Sequence, residues 1–228
     1  MTEAKTVRTR LKAALVLFGP PGSGKGTQAK LLQSCLEVPH ISTGDMLREH
    51  IQAGDAVGRR VEQMMRSGNL APDELVNDLV RERIARPDSA NGFILDGYPR
   101  TVQQAATMAG MLASRGLGHL VVHLKVDYNS LIARLTGRRQ CALCGALYNL
   151  SSNPPAAPNL CDRDGAELTI RDDDRESVIR QRLEAYENQT RPLLNYFATN
   201  GHRFYEVDGN EKAPQAIVAE ICRLIRNG

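Results

Sequence analysis

The stretch Gly19-Pro20-Pro21-Gly22-Ser23-Gly24-Lys25-Gly26-Thr27 carries the clearest chemistry in the sequence. It follows an apolar run, Ala13 to Phe18, and precedes a helical run through Gln28 to Gln33. Strand, Gly-rich loop and helix start, in that order, make a phosphate cradle. Glycines let backbone N–H groups turn inward around phosphate oxygens, the helix start adds its positive end, and Lys25 supplies a mobile charge. The candidate phosphate-binding set is therefore Gly22, Ser23, Gly24, Lys25, Gly26 and Thr27. One position departs from the general pattern: Gly26 follows the lysine where Ser or Thr is usual, and the hydroxyl comes one residue later at Thr27. A Gly-rich turn of purely structural purpose is the alternative, and the strand-loop-helix context weighs against it. Farther along, Phe93-Ile94-Leu95 closes on Asp96, as the Mg²⁺-side acid of phosphate-loop enzymes closes its strand. Strand-end Asp residues also cap turns, so Asp96 takes its meaning from the loop.

A second constellation is Cys141-x2-Cys144-x16-Cys161-x2-Asp164. Two short clamps across a loop form a zinc-ribbon geometry, with thiolates at three positions and a carboxylate oxygen at the fourth. Four protein ligands leave no open coordination position, so such a zinc is structural and stands apart from the chemistry. The alternative is a set of free thiols in a segment held by polar contacts. Five cysteines, an odd number with three clustered, fit a reduced compartment and a metal site better than a disulfide scaffold. Cys35 and Cys222 fall in helical patterns and read as plain buried residues. No general base stands out, and the five histidines form no evident catalytic arrangement.

Positioning these groups takes an ordinary soluble domain. The chain has 228 residues, 42% hydrophobic and 24% charged, enough to bury a sizeable core. A net charge of +3 builds no field strong enough to capture nucleic acid or an acidic membrane. Ten aromatic residues argue against a stacking platform for single-stranded nucleic acid. The run Ala13 to Phe18 after Lys5, Arg8, Arg10 and Lys12 copies a signal peptide superficially but is too short, and no stretch reaches membrane-spanning length. A cytoplasmic protein is expected, with residues 1–12 as a solvated tail.

Short apolar runs at Ala13–Phe18, Pro39–Ile41, Gly92–Leu95, Leu120–Val126 and Arg203–Val207 read as strands separated by helices. That alternation predicts an α/β fold, a five-stranded parallel sheet flanked by helices, with ligands at the carboxyl ends of the strands. Two stretches break the rhythm. Residues 42–71 are helical but interrupted by Gly54, Gly58 and Gly68, and residues 137–174 are loop-rich, with Pro154, Pro155 and Pro158 around the cysteines. Both read as insertions leaving the sheet at its ligand end. The core is then 1–41, 72–136 and 175–228.

From Leu15 to Ile225 the sequence resembles the adenylate kinase family. The resemblance is carried by the phosphate loop, Ile41-Ser-Thr-Gly-Asp-Met-Leu-Arg48, Leu95-Asp-Gly-Tyr-Pro-Arg-Thr101 with Gln104, Gly137-Arg-Arg139, Arg171-Asp-Asp, Arg182-Leu-Glu-Ala-Tyr and Val207-Asp-Gly209. The glycine after Lys25 is characteristic of the same group of small-molecule kinases. The resemblance implies reversible, Mg²⁺-dependent transfer of the terminal phosphoryl group of ATP to AMP, giving two ADP, in a monomer that binds neither nucleic acid nor membrane. It makes residues 42–71 the AMP-binding insertion and 137–174 a zinc-ribbon-like lid, as in the Cys3Asp lids of Gram-positive-type relatives.

By the same resemblance Lys25, Asp96, Arg100, Arg138, Arg171 and Arg182 act in catalysis. ATP is implied to lie against the loop with Arg134, Arg138, Leu147, Tyr148 and Glu211. AMP is implied to lie with its adenine against Thr43 and Gln104, its ribose and base against backbone groups of Asn69, Leu70 and Ala71, and its phosphate against Arg48 and Arg100, beside Gly97, Tyr98 and Pro99, with Arg171 and Arg182 reaching the transferring group and its neighbours. Arginine suits a reaction between two polyphosphates, since its guanidinium stays charged and grips two oxygens at once. No general base is required, because a phosphate monoester with a second pKa near ~6 is already anionic at neutral pH. Rival readings are a UMP or CMP kinase, and a non-enzymatic nucleotide switch carrying a zinc-ribbon module. Thr43 also has a plainer reading, as a helix cap before Gly44-Asp45.

Overall fold

A computed structural model describes residues 12–210 and 212–226; the expected tail, Lys12 apart, and Glu211 lie outside the described residues. The chain opens with β1 (Ala13–Phe18), α1 (Lys25–Leu36), β2 (His40–Ser42), α2 (Thr43–Ala53), α3 (Ala56–Arg66) and α4 (Asp73–Ile84). It continues through β3 (Phe93–Asp96), α5 (Val102–Ala113), β4 (Gly118–Lys125), α6 (Tyr128–Thr136), β5 (Arg138–Cys141), β6 (Leu147–Asn149) and β7 (Leu168–Thr169). It ends in α7 (Glu176–Ala185), α8 (Leu193–Thr199), β8 (Arg203–Asp208) and α9 (Pro214–Arg226).

Five strands form one sheet in the order β2-β3-β1-β4-β8, parallel throughout. All five expected strands are present, with ends shifted by up to two residues. Pairing sets the shifts: Ala13 and Ala14 draw Gly118 and His119 into β4, and Leu17 and Ser42 draw Asp96 into β3. Side chains alternate across β1. Ala14, Val16 and Phe18 face a core built with Phe93, Leu95, Val121 and the apolar stripes of α4, α5 and α8. Leu15 and Leu17 face the opposite core, with Leu32 of α1 and Ile217 and Ile221 of α9. Burial on both faces is why these strands read as continuous apolar runs. The chain winds to one side of β1 through β2 and β3 and to the other through β4 and β8, so the crevice opens beyond the end of β1.

The first insertion is the helix pair α2 and α3, leaving β2 without a spacer. Gly54 ends α2 in the left-handed conformation (φ 63°). Gly58 does not interrupt the helical pattern; it lies inside α3 where that helix crosses α2, and a Cβ there would stand 2.1 Å from the carbonyl oxygen of His50. The second insertion leaves from the C-terminus of α6 rather than from a strand end, which corrects that expectation. It contains a small antiparallel sheet in the order β6-β5-β7 and a cluster of Cys141, Ala146, Tyr148, Cys161 and Leu168. Lys30 of α1 reaches it, its Nζ donating to the carbonyl of Gly145 at 3.3 Å.

Cys35 is exposed and Cys222 half-buried, against the expectation that both are buried. Helix periodicity explains this, since the buried stripe of α1 runs through Ala29, Leu32 and Leu36 and leaves Cys35 off it. Among the described residues no helix is long and apolar enough to cross a membrane.

Beside the amino end of β4 and the entry to β8, His119 and His202 share a hydrogen bond of 2.7 Å. Burial lowers the pKa of both rings, and for His119 the neighbouring His202 lowers it further. Folding therefore favours the neutral rings, and their contribution is complete above the unfolded value near 6.5 and lost as pH falls through the folded values. Urea unfolding at pH 7 and pH 5 is expected to show an acid-induced loss of stability that is smaller in His202→Phe. Equal losses in the two proteins would contradict this.

Candidate functional site

The loop after β1 delivers Lys25 to the crevice as the first residue of α1, capped by Gly24 in the left-handed region (φ 94°) with no side-chain cap. The Lys25 Nζ donates to the carbonyls of Gly19 at 2.8 Å and Pro20 at 2.9 Å, and to Oγ of Ser23 at 3.4 Å. Its pKa is pushed down to about 7, chiefly by burial, against the pull of Asp96 and reinforced by Arg100, Arg182 and Arg138. Three guanidiniums from distant stretches are therefore near enough to repel this one ammonium. An anion placed among them would relieve every one of these repulsions.

Asp96 stands across the loop. A Cβ at residue 26 would come within 3.3 Å of its Oδ2, which gives the departure at Gly26 a physical reason: a bulkier residue would crowd the carboxylate. His40 Nε2 lies 3.3 Å from the same oxygen.

Arginines converge from three elements and two adjoining loops. Arg138 of β5 grips Asp174 with Nε at 2.5 Å and with a second, shorter bond from Nη2. Arg182 of α7 donates to Asp174 at 2.6 Å, lies 3.2 Å from an Asp173 oxygen and donates to the Asp173 carbonyl. Arg48 of α2 lies 2.5 Å from Asp45 and 3.9 Å from Asp173, and Arg171 lies 3.9 Å from Asp45. Burial lowers the pKa of both Arg100 and Arg171 to about 10, helped by Arg182 at the first and by Arg48 and Arg138 at the second. Burial alone would raise the Asp173 carboxyl, yet it lies below its ordinary range because Arg182, Arg48, Arg138 and Arg171 surround it. Asp173 and Asp174 are thus shared counterions for the group. The motif Arg171-Asp-Asp includes Asp173 but stops short of Asp174, and it assigns neither of them a role.

Thr43 is the first residue of α2, not its cap. The cap is Ser42, which accepts from the N–H of Asp45, while the Thr43 hydroxyl donates to the Gly97 carbonyl at 2.9 Å. Arg100 Nε donates to that carbonyl as well, at 2.9 Å. Tyr98 is 1% exposed, so its ring belongs to the core. Gln104 is buried at the start of α5, between Arg100 and Asp73. Asp73 and His40 are the site neighbours that sequence spacing did not reveal.

The cysteine cluster assembles as its spacing predicts. One ligand atom from each of Cys141, Cys144, Cys161 and Asp164 lies within 4.8 Å of all the others. Cys144 and Cys161 Sγ are 3.6 Å apart, and Cys141 Sγ is 3.3 Å from an Asp164 oxygen. Donors about 2.3 Å from a tetrahedral zinc stand roughly 3.7 Å apart, so the set fits that ion. Backbone N–H groups of Leu143 and Cys144 point at Cys141 Sγ, as a thiolate would want. The Cys144 thiol is pushed up to about 12, first by its hydrogen bond to Asp164, and Asp164 is held down to about 2, first by the same bond and then by the Ala166 N–H.

The sequence profile of the adenylate kinase family matches residues 17–202. The chain belongs to the adenylate kinase family. It is 48% identical to an adenylate kinase of Moorella thermoacetica over 206 residues, covering 90% of this chain and 94% of that one. An adenylate kinase of Anaeromyxobacter dehalogenans is 47% identical over 212 residues, 92% of this chain and 98% of its own, and one of Thermosipho melanesiensis is 42% identical over 213, 93% and 99%. Of the residues that adenylate kinase resemblance singled out, the structure brings Lys25, Arg48, Asp96, Arg100, Arg138, Arg171 and Arg182 into one charged neighbourhood. Arg134 donates to the Gly209 carbonyl at 2.7 Å, next to the end of β8. Leu147 and Tyr148 lie in β6, with the Tyr148 hydroxyl 3.5 Å from Cys161 Sγ and accepting from the Asp162 N–H. Asn69 is exposed, Leu70 half-buried and Ala71 buried, in the link from α3 to α4.

Proposed function

We propose that the protein transfers the terminal phosphoryl group of ATP to AMP, reversibly and with Mg²⁺, giving two ADP. The convergence of Lys25, Arg48, Arg100, Arg138, Arg171 and Arg182 carries this reading. Two polyphosphates repel each other, and the transferring group spreads charge over its equatorial oxygens, so the reaction calls for many fixed cations. Asp173 and Asp174 hold those cations in place beforehand, which lowers the reorganisation needed when the phosphates arrive. Asp96 offers a carboxylate of the kind that would hold Mg²⁺, a hard cation that takes oxygen ligands and would supply charge neutralisation to the phosphates.

Residues 42–71 serve as the AMP-side insertion and residues 137–174 as the ATP-side lid. Ion pairs from one to the other, Arg48 with Asp173 at 3.9 Å and Arg66 with Asp172 at 3.8 Å, support their closing on one another. Closure excludes water, which would otherwise compete with AMP for the phosphoryl group. Arg134 and Arg138 line the donor nucleotide, with mainly backbone contacts from Leu147, Tyr148 and Glu211; Thr43, Arg48, Arg100 and Gln104 line the acceptor, with backbone groups of Asn69 to Ala71 and Gly97 to Pro99. The Cys3Asp site holds a structural Zn²⁺. Three of the five cysteines gather in one metal-ligand set, as in a reduced compartment, which supports a cytoplasmic setting, and a monomer is the state that the family resemblance implies.

A coupled assay of ADP formation with AMP, GMP, CMP and UMP as acceptors tests the reading. AMP is expected to be preferred by a wide margin, and Thr43→Ala to raise the KM for AMP more than it lowers kcat. Equal use of GMP, CMP or UMP by the unmodified protein would assign it to another nucleoside monophosphate kinase activity.

A further inference from the structure

Both ends of the Gln104 carboxamide are engaged. Its Oε1 accepts from the backbone N–H of Arg100 at 2.7 Å, and its Nε2 donates to Oδ1 of Asp73 at 2.7 Å. The sense of this amide is forced: a backbone N–H can only donate and a carboxylate can only accept, so a flipped amide would meet like with like at both ends. Asp73 is itself anchored. Its Oδ2 accepts from the Thr101 hydroxyl at 2.6 Å, and it is the first residue of α4, where the helix start favours a carboxylate. Tyr98 adds rigidity, its buried hydroxyl donating to Asn77 of α4 at 2.7 Å, with the Gln104 carbonyl 3.2 Å away.

We infer that Asp73 is a specificity-determining positioning residue, which fixes the sense of the Gln104 carboxamide and so selects an amino-purine over an oxo-purine in the acceptor nucleotide. This rests on the reading of AMP as acceptor with Gln104 against its base. After Arg100 and Asp73 are served, the amide keeps one N–H and one oxygen lone pair. Adenine presents an amino donor beside a ring-nitrogen acceptor, which such an amide matches in one sense only. Hypoxanthine presents an oxo acceptor beside a protonated ring nitrogen, the reverse order. To meet it Gln104 would have to turn its oxygen towards the Asp73 carboxylate and its amino group towards the Arg100 N–H. The oxo-purine is thereby rejected through unpaired polar groups inside the fold.

The test compares kcat/KM for AMP and inosine monophosphate in the unmodified protein, Asp73→Asn and Thr101→Ala. Asparagine has the shape of aspartate but can offer either an oxygen or an amino group to Gln104, so one of the two constraints on the amide is lost. The preference for AMP is expected to fall about tenfold in Asp73→Asn, as one recognition pair is compromised. Thr101→Ala, which frees the second oxygen of Asp73, is expected to shift the ratio the same way by a smaller factor. A purely structural role would depress both substrates alike and leave the ratio unchanged. An unchanged ratio in Asp73→Asn, or in Thr101→Ala should Asp73→Asn not fold, overturns the inference. Failure of the unmodified protein to use AMP is a separate result, which overturns the proposed function and the inference together.

Discussion

Lys25→Met is expected to lower turnover by a factor of about 10² to 10³, the scale of losing one charged group aimed at the reacting phosphate. Arg100→Ala is expected to act on a similar scale. Neither loss should come with unfolding. Lys25 is buried with its pKa pushed down to about 7 from 10.5, so the unfolded chain binds its proton more tightly than the folded one. Free-protein stability from this group consequently rises with pH between about 7 and 10.5, and a neutral side chain of similar length gains that contribution already at pH 7. The melting temperature of Lys25→Met should equal or exceed that of the unmodified protein. The same shift makes ATP binding take up a proton above about pH 7, because the polyphosphate favours the charged ammonium. Calorimetry in two buffers of different ionisation enthalpy should detect the uptake in the unmodified protein and lose it in Lys25→Met. Near-normal turnover in either folded variant would remove the charge cluster from the mechanism.

Stripping the metal, or replacing Cys144 with Ser, is expected to lower the melting temperature by about 5 to 15 °C while most activity survives at mild temperature. The reason lies in the make-up of the second insertion. Its only buried cluster among the described residues comprises Cys141, Ala146, Tyr148, Cys161 and Leu168, so two of the five members are themselves ligands. Its strands are two to four residues long. Such a unit has too little apolar surface to hold itself together, and a closed tetrahedral ion at the proposed site would supply the rest. In the proposed reaction the phosphates are handled by Lys25 and the arginines, none of which belongs to the Cys3Asp set. Elemental analysis should find about one zinc per chain. Zinc-free protein with an unchanged melting temperature, or loss of turnover on metal removal while the insertion stays folded, would contradict the assignment.

Much of this was legible in the sequence because each feature repeats locally. Buried parallel strands announce themselves as apolar runs, and the strand, glycine loop and lysine lie within about fifteen residues of one another, as the phosphate-cradle pattern requires. The Cys3Asp set sits in two short clamps, Cys141-x2-Cys144 and Cys161-x2-Asp164. What stayed hidden depends on contacts between distant segments. The small sheet β6-β5-β7 has no signal in Arg138-Arg139-Gln140, which lacks the alternation of a half-buried strand. Gly58 looks like a helix breaker until α2 is laid across it. Asp73 meets Gln104 across 31 positions, and Arg138 meets Asp174 across 36, so neither pairing could be read from neighbouring residues. The role of Asp173 and Asp174 as counterions emerges only when arginines from α2, β5 and α7 share one crevice.

The most direct test of direct phosphoryl transfer follows ATP, AMP, ADP and orthophosphate together by ³¹P NMR in the presence of Mg²⁺. The proposed reaction predicts two ADP formed for each ATP consumed, no orthophosphate, an absolute need for AMP, and regeneration of ATP and AMP when ADP alone is supplied. Release of orthophosphate from ATP at an undiminished rate without AMP would contradict it, and would make the protein a hydrolase or nucleotide switch instead.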